Sequence, residues 1–234
     1  MTNKCCPLLG LILLFTSHVY ADNKVSEIKL ALYNGVPDQI DFTNGKLSGS
    51  YASALKCIIQ HSELKMHFSV FPLVRQVHSL KQGIVDAAYP LSITESRNNQ
   101  FIATNPIKEE EIIIISLKEN PVTKDNLLKH SGAVVRGTVF DDYLKKINHP
   151  DYSYNWSTLV SSQVVLKERV EFALTAKDVW ESTIKLQLSK EELSRLHLSS
   201  LFKAPVVIYF NKNSKHVKTA IPIINNIIPL CKNK

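Results

Sequence analysis

The residues best equipped for chemistry lie in one short turn, Leu91-Ser92-Ile93-Thr94-Glu95-Ser96-Arg97. Ser92 and Glu95 have the spacing of a capping box, which satisfies the free N–H groups at the start of a helix. Arg97 follows at once, and its planar guanidinium grips a carboxylate through two parallel hydrogen bonds that lysine cannot reproduce. Backbone donors, a hydroxyl and a cation at one strand end make an anion site. Two readings stay open here. Arg97 either holds a ligand's negative charge or pairs on the surface with Glu95 or a neighbouring acid, and Ser92 touches the ligand, caps the helix, or does both. A second such turn is Val134-Val135-Arg136-Gly137-Thr138. Gly137 permits close backbone approach and Thr138 offers a donor and an acceptor, although a plain tight turn uses the same residues.

Other candidates are weaker. Tyr89, just before the first turn, is either an apolar wall for a ligand or a core residue. Arg75, in Pro72-Leu73-Val74-Arg75, either faces a cleft or is an ordinary exposed helical residue. Tyr33 and Phe42 offer aromatic stacking or core packing. The eight histidines show no metal-ligand spacing, and neither a nucleophile elbow nor a phosphate-binding glycine loop occurs. No cofactor and no metal are expected, and the protein is read as not an enzyme.

These turns need elements to hold them. Ile28–Tyr33 reads as a first strand, 51–60 as a helix and 67–70 as a second strand. Leu73, Val77 and Leu80 recur at helical spacing after Pro72, and Gly83 supplies the stop. A strand is expected over 84–89, and Ile112–Leu117 is a continuous apolar run of the kind buried on both faces. A second unit follows: strand 133–136, helix 140–147, helix 160–169, strand 170–174 and helix 178–188. Ser189 and Glu192 have capping-box spacing for another short helix. A late strand, Pro205–Phe210, precedes a helical tail that Pro222 and Pro229 limit. Alternation of this kind implies an α/β fold with a parallel-type sheet, either as two lobes or as one continuous sheet.

With 234 residues and 44% hydrophobic composition the chain can bury two lobes. Residues 1–21 read as a secretory signal peptide: Lys4, an apolar run too short to span a membrane, then Val19-Tyr20-Ala21. Its removal takes Cys5, Cys6 and Lys4 with it and lowers the net charge from +7 to +6. Scattered lysines give no nucleic-acid footprint. Cys57 and Cys231 remain, in an oxidising compartment, as either a disulfide or two separate buried thiols.

In order along the chain, Asn44-Gly45-Lys46-Leu47-Ser48-Gly49, Gly83-Ile84-Val85-Asp86-Ala87, Ser92-Ile93-Thr94-Glu95-Ser96-Arg97 and Val134–Thr138 closely resemble the motifs of the bacterial solute-binding proteins of family 3. The resemblance implies a two-lobe periplasmic-binding-protein-like (type II) fold with two hinge strands. Lobe 1 would span 22–108 and lobe 2 109–204, while 205–234 returns to lobe 1. By the same resemblance Arg97 matches the family's carboxylate-binding arginine, Ser92 its ligand serine, and Gly137 and Thr138 its second-lobe ligand loop. Thr175 stands where amino-acid-binding members place an aspartate for the ligand's ammonium, with Asp178 displaced. The chain also has Gly49-Ser50-Tyr51-Ala52-Ser53 where those members carry an acidic residue. A buried unpaired ammonium is costly, so a carboxylate or other anion without an amine fits better. The expected protein is a monomeric periplasmic binding protein for a small polar or anionic metabolite, serving ABC-type import. The alternatives are a sensory binding protein with a membrane partner and a dehydratase-like enzyme on the same scaffold.

Overall fold

The computed structural model describes residues 27–33, 39–155 and 157–232; the signal peptide read at 1–21 lies outside them. The first half of the chain runs β1 (Ile28–Tyr33), β2 (Asp41–Thr43), β3 (Lys46–Ser48), α1 (Ser50–Ser62), β4 (Met66–Phe71), α2 (Leu73–Lys81), β5 (Ala87–Ser92), α3 (Glu95–Gln100) and β6 (Phe101–Ala103). The long β7 (Lys108–Leu117) leads out of it. Then come β8 (Gly132–Val135), α4 (Val139–Lys146), β9 (Tyr152–Asn155), α5 (Ser161–Leu166), β10 (Phe172–Ala176) and α6 (Lys177–Val179). The chain ends with α7 (Lys190–Arg195), β11 (Leu196–Asn211) and α8 (Val217–Cys231).

Two parallel groups, β4-β1-β5 and β10-β8-β9, flank the antiparallel pair β11-β7. That pair stays in register from Leu196 opposite Leu117 to Val206 opposite Lys108, with one shift between Ser200 and Phe202. Sixteen extended residues in β11 reach about 50 Å, far enough to serve both halves. One core gathers Leu30, Leu55, Ile58, Ile208, Ile224 and Ile228. Another gathers Ile112, Ile114, Leu144, Phe172, Leu174 and Trp180. The molecule is therefore two lobes sharing a sheet through its two longest strands.

Several local expectations shift. The strand expected over 84–89 lies three residues later, as β5, and pairs with β11 as far as Ser92 opposite Val206. That pairing holds Ser92 extended, so it does not cap α3; Thr94 does, accepting from the Arg97 N–H at 3.2 Å. The box at Ser189 and Glu192 forms in both halves. Pro222 and Pro229 lie inside one continuous α8, whose Ala220, Ile224, Ile227 and Ile228 are buried against the first core. Packing there outweighs the missing N–H groups.

Cys57 on α1 and Cys231 on α8 are bridged, with Cα atoms 5.7 Å apart and a sequence separation of 174. His61 completes the one cluster of metal-ligand types among the described residues, but both cysteines are engaged with each other. Closing so long a loop restricts the unfolded chain by at most about 5 kcal/mol. Replacing both cysteines with alanine should lower stability by about 2–4 kcal/mol in denaturant titrations, with ligand affinity unchanged because neither cysteine lines the cleft described next.

Candidate ligand cleft between the lobes

In open α/β sheets the carboxyl ends of parallel strands open onto a crevice. Here the turns after β5 and β8 meet. Arg97 reaches across, its Nη1 donating to the Ser92 carbonyl at 2.6 Å and its Nη2 to the Gly137 carbonyl of the other lobe at 2.7 Å. Beside this bridge lies a cavity of about 80 Å³. Ser92, Arg97, Tyr33 and Tyr51 line it from the first lobe, and Thr138, Phe140 and Thr158 from the second.

Arg97 is 6% exposed. Burial lowers its pKa from the ordinary guanidinium value, and Asp142 opposes that shift without touching it. Among the described residues no carboxylate lies within ion-pair distance of Arg97. A buried cation whose partners are carbonyl dipoles is short of negative charge, and its remaining N–H donors stand ready for an anion. The alternative of a surface pair with Glu95 does not occur.

The opposing turn is built by Asp141. Gly137 adopts φ +75°, a left-handed conformation that favours glycine, while a Cβ there would meet only open space. So glycine serves backbone shape at this point rather than close approach. The Gly137 N–H donates to Asp141 Oδ2 at 2.8 Å, Lys145 Nζ to the same oxygen at 2.9 Å, and the Tyr154 hydroxyl to Oδ1 at 3.1 Å. Thr138 caps α4 and donates its hydroxyl to the Val135 carbonyl at 2.7 Å. Burial pushes the wholly buried Asp141 carboxyl up, but these donors outweigh it and hold it below the usual aspartate range.

A second ionisable group lines the cavity, and the sequence reading passed over it. Glu110 projects from β7, 8% exposed, and its Oε1 accepts from the Tyr51 hydroxyl and, at 3.5 Å, from Gln39 Nε2. Burial is the main force pushing its carboxyl above the ordinary glutamate value. In the run Glu109-Glu110-Glu111, strand alternation turns the middle carboxyl to the face opposite its neighbours. That period-two signal was available in the sequence. Nearby, Lys108 pairs with Asp178 and lies 5.1 Å from the centre of the Tyr51 ring.

Of the residues singled out in the sequence, the structure brings Arg97, Ser92, Gly137 and Thr138 together. Tyr89 is fully buried behind the wall, its hydroxyl donating to the Tyr51 carbonyl at 3.1 Å. Thr175 is fully buried within β10, opposite Ile113, and Ala176 and Val179 reach the cavity instead. Arg75 is exposed on α2, 5.5 Å above the Phe71 ring. Phe42 packs on Phe68 at 5.0 Å, whereas Tyr33 does line the cavity.

Two lobes on a shared sheet, meeting over a largely apolar cavity with a few ionisable and hydroxyl groups at their strand ends, define the class of two-lobe ligand-binding proteins. The chain belongs to the bacterial extracellular solute-binding proteins, family 3, whose model matches residues 29–224. Its structure is similar to a histidine kinase sensor domain with similarity to periplasmic binding proteins, at 15% identity and TM-score 0.73 over 87% of this chain and 89% of that one. It is also similar to an ancestral arginine-binding protein bound to arginine, at 19% identity and TM-score 0.71 over 88% and 92%. A third likeness is to the arginine-, lysine-, histidine-binding protein ArtJ of Geobacillus stearothermophilus, at 18% identity and TM-score 0.69 over 88% and 90%. At these identities the likeness shows a common fold. No curated protein matches the sequence. Among the described residues no helix is long and apolar enough to cross a membrane.

Asp141→Asn should destabilise the protein by about 1–3 kcal/mol at neutral pH, because buried donors lose a charged acceptor. A depressed carboxylate contributes its stability above the unfolded aspartate value, and that contribution is lost as pH falls through the folded value. The gap between wild type and variant should therefore close in the acid range below the usual aspartate pKa, as measured by thermal unfolding across pH.

Proposed function

We propose that this chain is an exported, periplasmic binding protein that captures a small carboxylate-bearing metabolite between its lobes for ABC-type import. The observation that carries this reading is the buried Arg97, which lines the cavity, contacts both lobes and has no carboxylate among the described residues within ion-pair distance. A ligand carboxylate there replaces the missing counter-charge. It also stabilises the closed arrangement, since only then do Ser92 and Thr138 line one space. Ala176 at the end of β10 and Val179 on α6 are apolar and offer nothing to an α-ammonium, which favours an acid without one. No covalent step is assigned. The protein acts as a monomer with a membrane permease as its partner.

A second reading, a sensory protein signalling to a membrane partner, draws on the likeness to the kinase sensor domain. A permease gene beside this one supports import, and a membrane kinase or cyclase gene supports sensing.

Mass spectrometry of ligand released from gently purified protein should identify a small acid. Arg97→Ala should weaken its binding about ten- to hundredfold, the scale of a charged hydrogen-bond pair. Unchanged affinity in calorimetry would remove the carboxylate clamp, and the reading with it.

A further inference from the structure

Glu110 stands in the cavity as a buried acid that the carboxylate clamp leaves unexplained. Both of its donors, the Tyr51 hydroxyl and Gln39 Nε2, act on a single oxygen, Oε1. A neutral carboxyl has one carbonyl-type acceptor and one hydroxyl that donates. Burial without a cation in contact favours that neutral form, with Oε1 accepting from both neighbours. The neighbouring ammonium of Lys108 is engaged with Asp178, so no cation touches the Glu110 carboxyl among the described residues. The groups facing it are Tyr51 from α1, Gln39 ahead of β2, Tyr89 from β5, Lys108 on its own strand and Asp178 from α6. Arg97 lines the same cavity.

We infer that Glu110 selects the far end of the ligand: it presents a protonated carboxyl as a hydrogen-bond donor to an oxygen acceptor, while Arg97 holds the ligand's carboxylate. The burial that pushes the carboxyl upward acts in the same direction. The matching ligand is a small hydroxy or keto acid. A cavity of about 80 Å³ suits a small acid. An unsubstituted acid leaves the buried donor without an acceptor, and an ammonium confronts a donor with donors. The inference rests on the carboxylate reading above and adds to it the identity of the second group.

Four three-carbon probes separate these cases: lactate, pyruvate, propionate and alanine, titrated into the purified chain by calorimetry. Lactate or pyruvate should bind at least about tenfold more tightly than propionate or alanine. Glu110→Gln should preserve that preference, because a carboxamide keeps an acceptor for Tyr51 and Gln39 and offers an N–H in place of the O–H. Glu110→Leu should abolish it. Affinity of the wild type should fall as pH rises above the ordinary glutamate range, and Glu110→Gln should be flat. Thermal unfolding gives a ligand-free check. A carboxyl neutral in the fold and ionised in the unfolded chain loses stability as pH rises, so Glu110→Gln should match wild type in acid and exceed it at higher pH.

Tightest binding of alanine, loss of binding in Glu110→Gln, absence of lactate and pyruvate binding, or parallel stability profiles would each overturn the inference. If Arg97→Ala loses all binding while Glu110→Leu leaves the preference intact, only this inference fails. If Arg97→Ala binds as wild type, the clamp itself fails.

Discussion

A guanidinium buried between two lobes, with carbonyl oxygens as its partners and no carboxylate among the described residues in reach, is the constraint around which this molecule is arranged. Carbonyl dipoles partly replace the water that burial removes, but they do not cancel the charge. The second lobe supplies one of those dipoles through the Gly137 carbonyl, and that carbonyl is aimed by a left-handed glycine tied to Asp141. Asp141 is in turn held by Lys145 and Tyr154 from its own helix and the neighbouring strand. Removing negative charge or geometry anywhere along this chain of contacts loosens the meeting of the lobes.

A cation and an acid line one cavity without pairing. Arg97 donates to carbonyls, and Glu110 accepts from a phenol and an amide. A direct ion pair between them would have filled the site and left no preference for a ligand. Instead the lobes lend a cation from the β5 turn, an acid from the shared strand β7, and small hydroxyls from Ser92, Thr138 and Thr158. The apolar residues Ala176 and Val179 close the end of β10. Such a surface distinguishes ligands by which polar groups they carry, since an unmatched buried donor costs more than a matched one gains.

The placement of Glu110 on a strand common to both lobes gives it a special position. β7 pairs along its whole length with residues 196–206 of β11, so the floor of the cavity belongs to the connection between lobes. Tyr51 joins that floor to α1, and the Lys108–Asp178 pair joins it to α6. Any ligand touching Arg97 and Glu110 therefore senses both the closing turn and the hinge.

Local order was written in short-range patterns. The helical spacing of Leu73, Val77 and Leu80, the glycine stop at Gly83, the Ser189–Glu192 box and the run Ile112–Leu117 depend on neighbours within a few residues, and each sits in the kind of element its pattern implied. The motif turns at Ser92–Arg97 and Gly137–Thr138 were equally visible, because the residue types themselves carry the chemistry. What depended on distant partners was not visible. Pairing with Val206 decided that Ser92 is strand rather than cap, and the bulge near Ser200 hid the first half of β11 by breaking its alternation. Packing against the first core carried α8 through two prolines. Most telling is Glu110: alternation along the strand set its face, but only Tyr51, Gln39 and Tyr89, brought in from distant parts of the chain, made it a buried acid. Sequence determines propensity over a turn or two of chain; solvent exclusion, which sets the state of a charge, is a property of residues brought together from far apart.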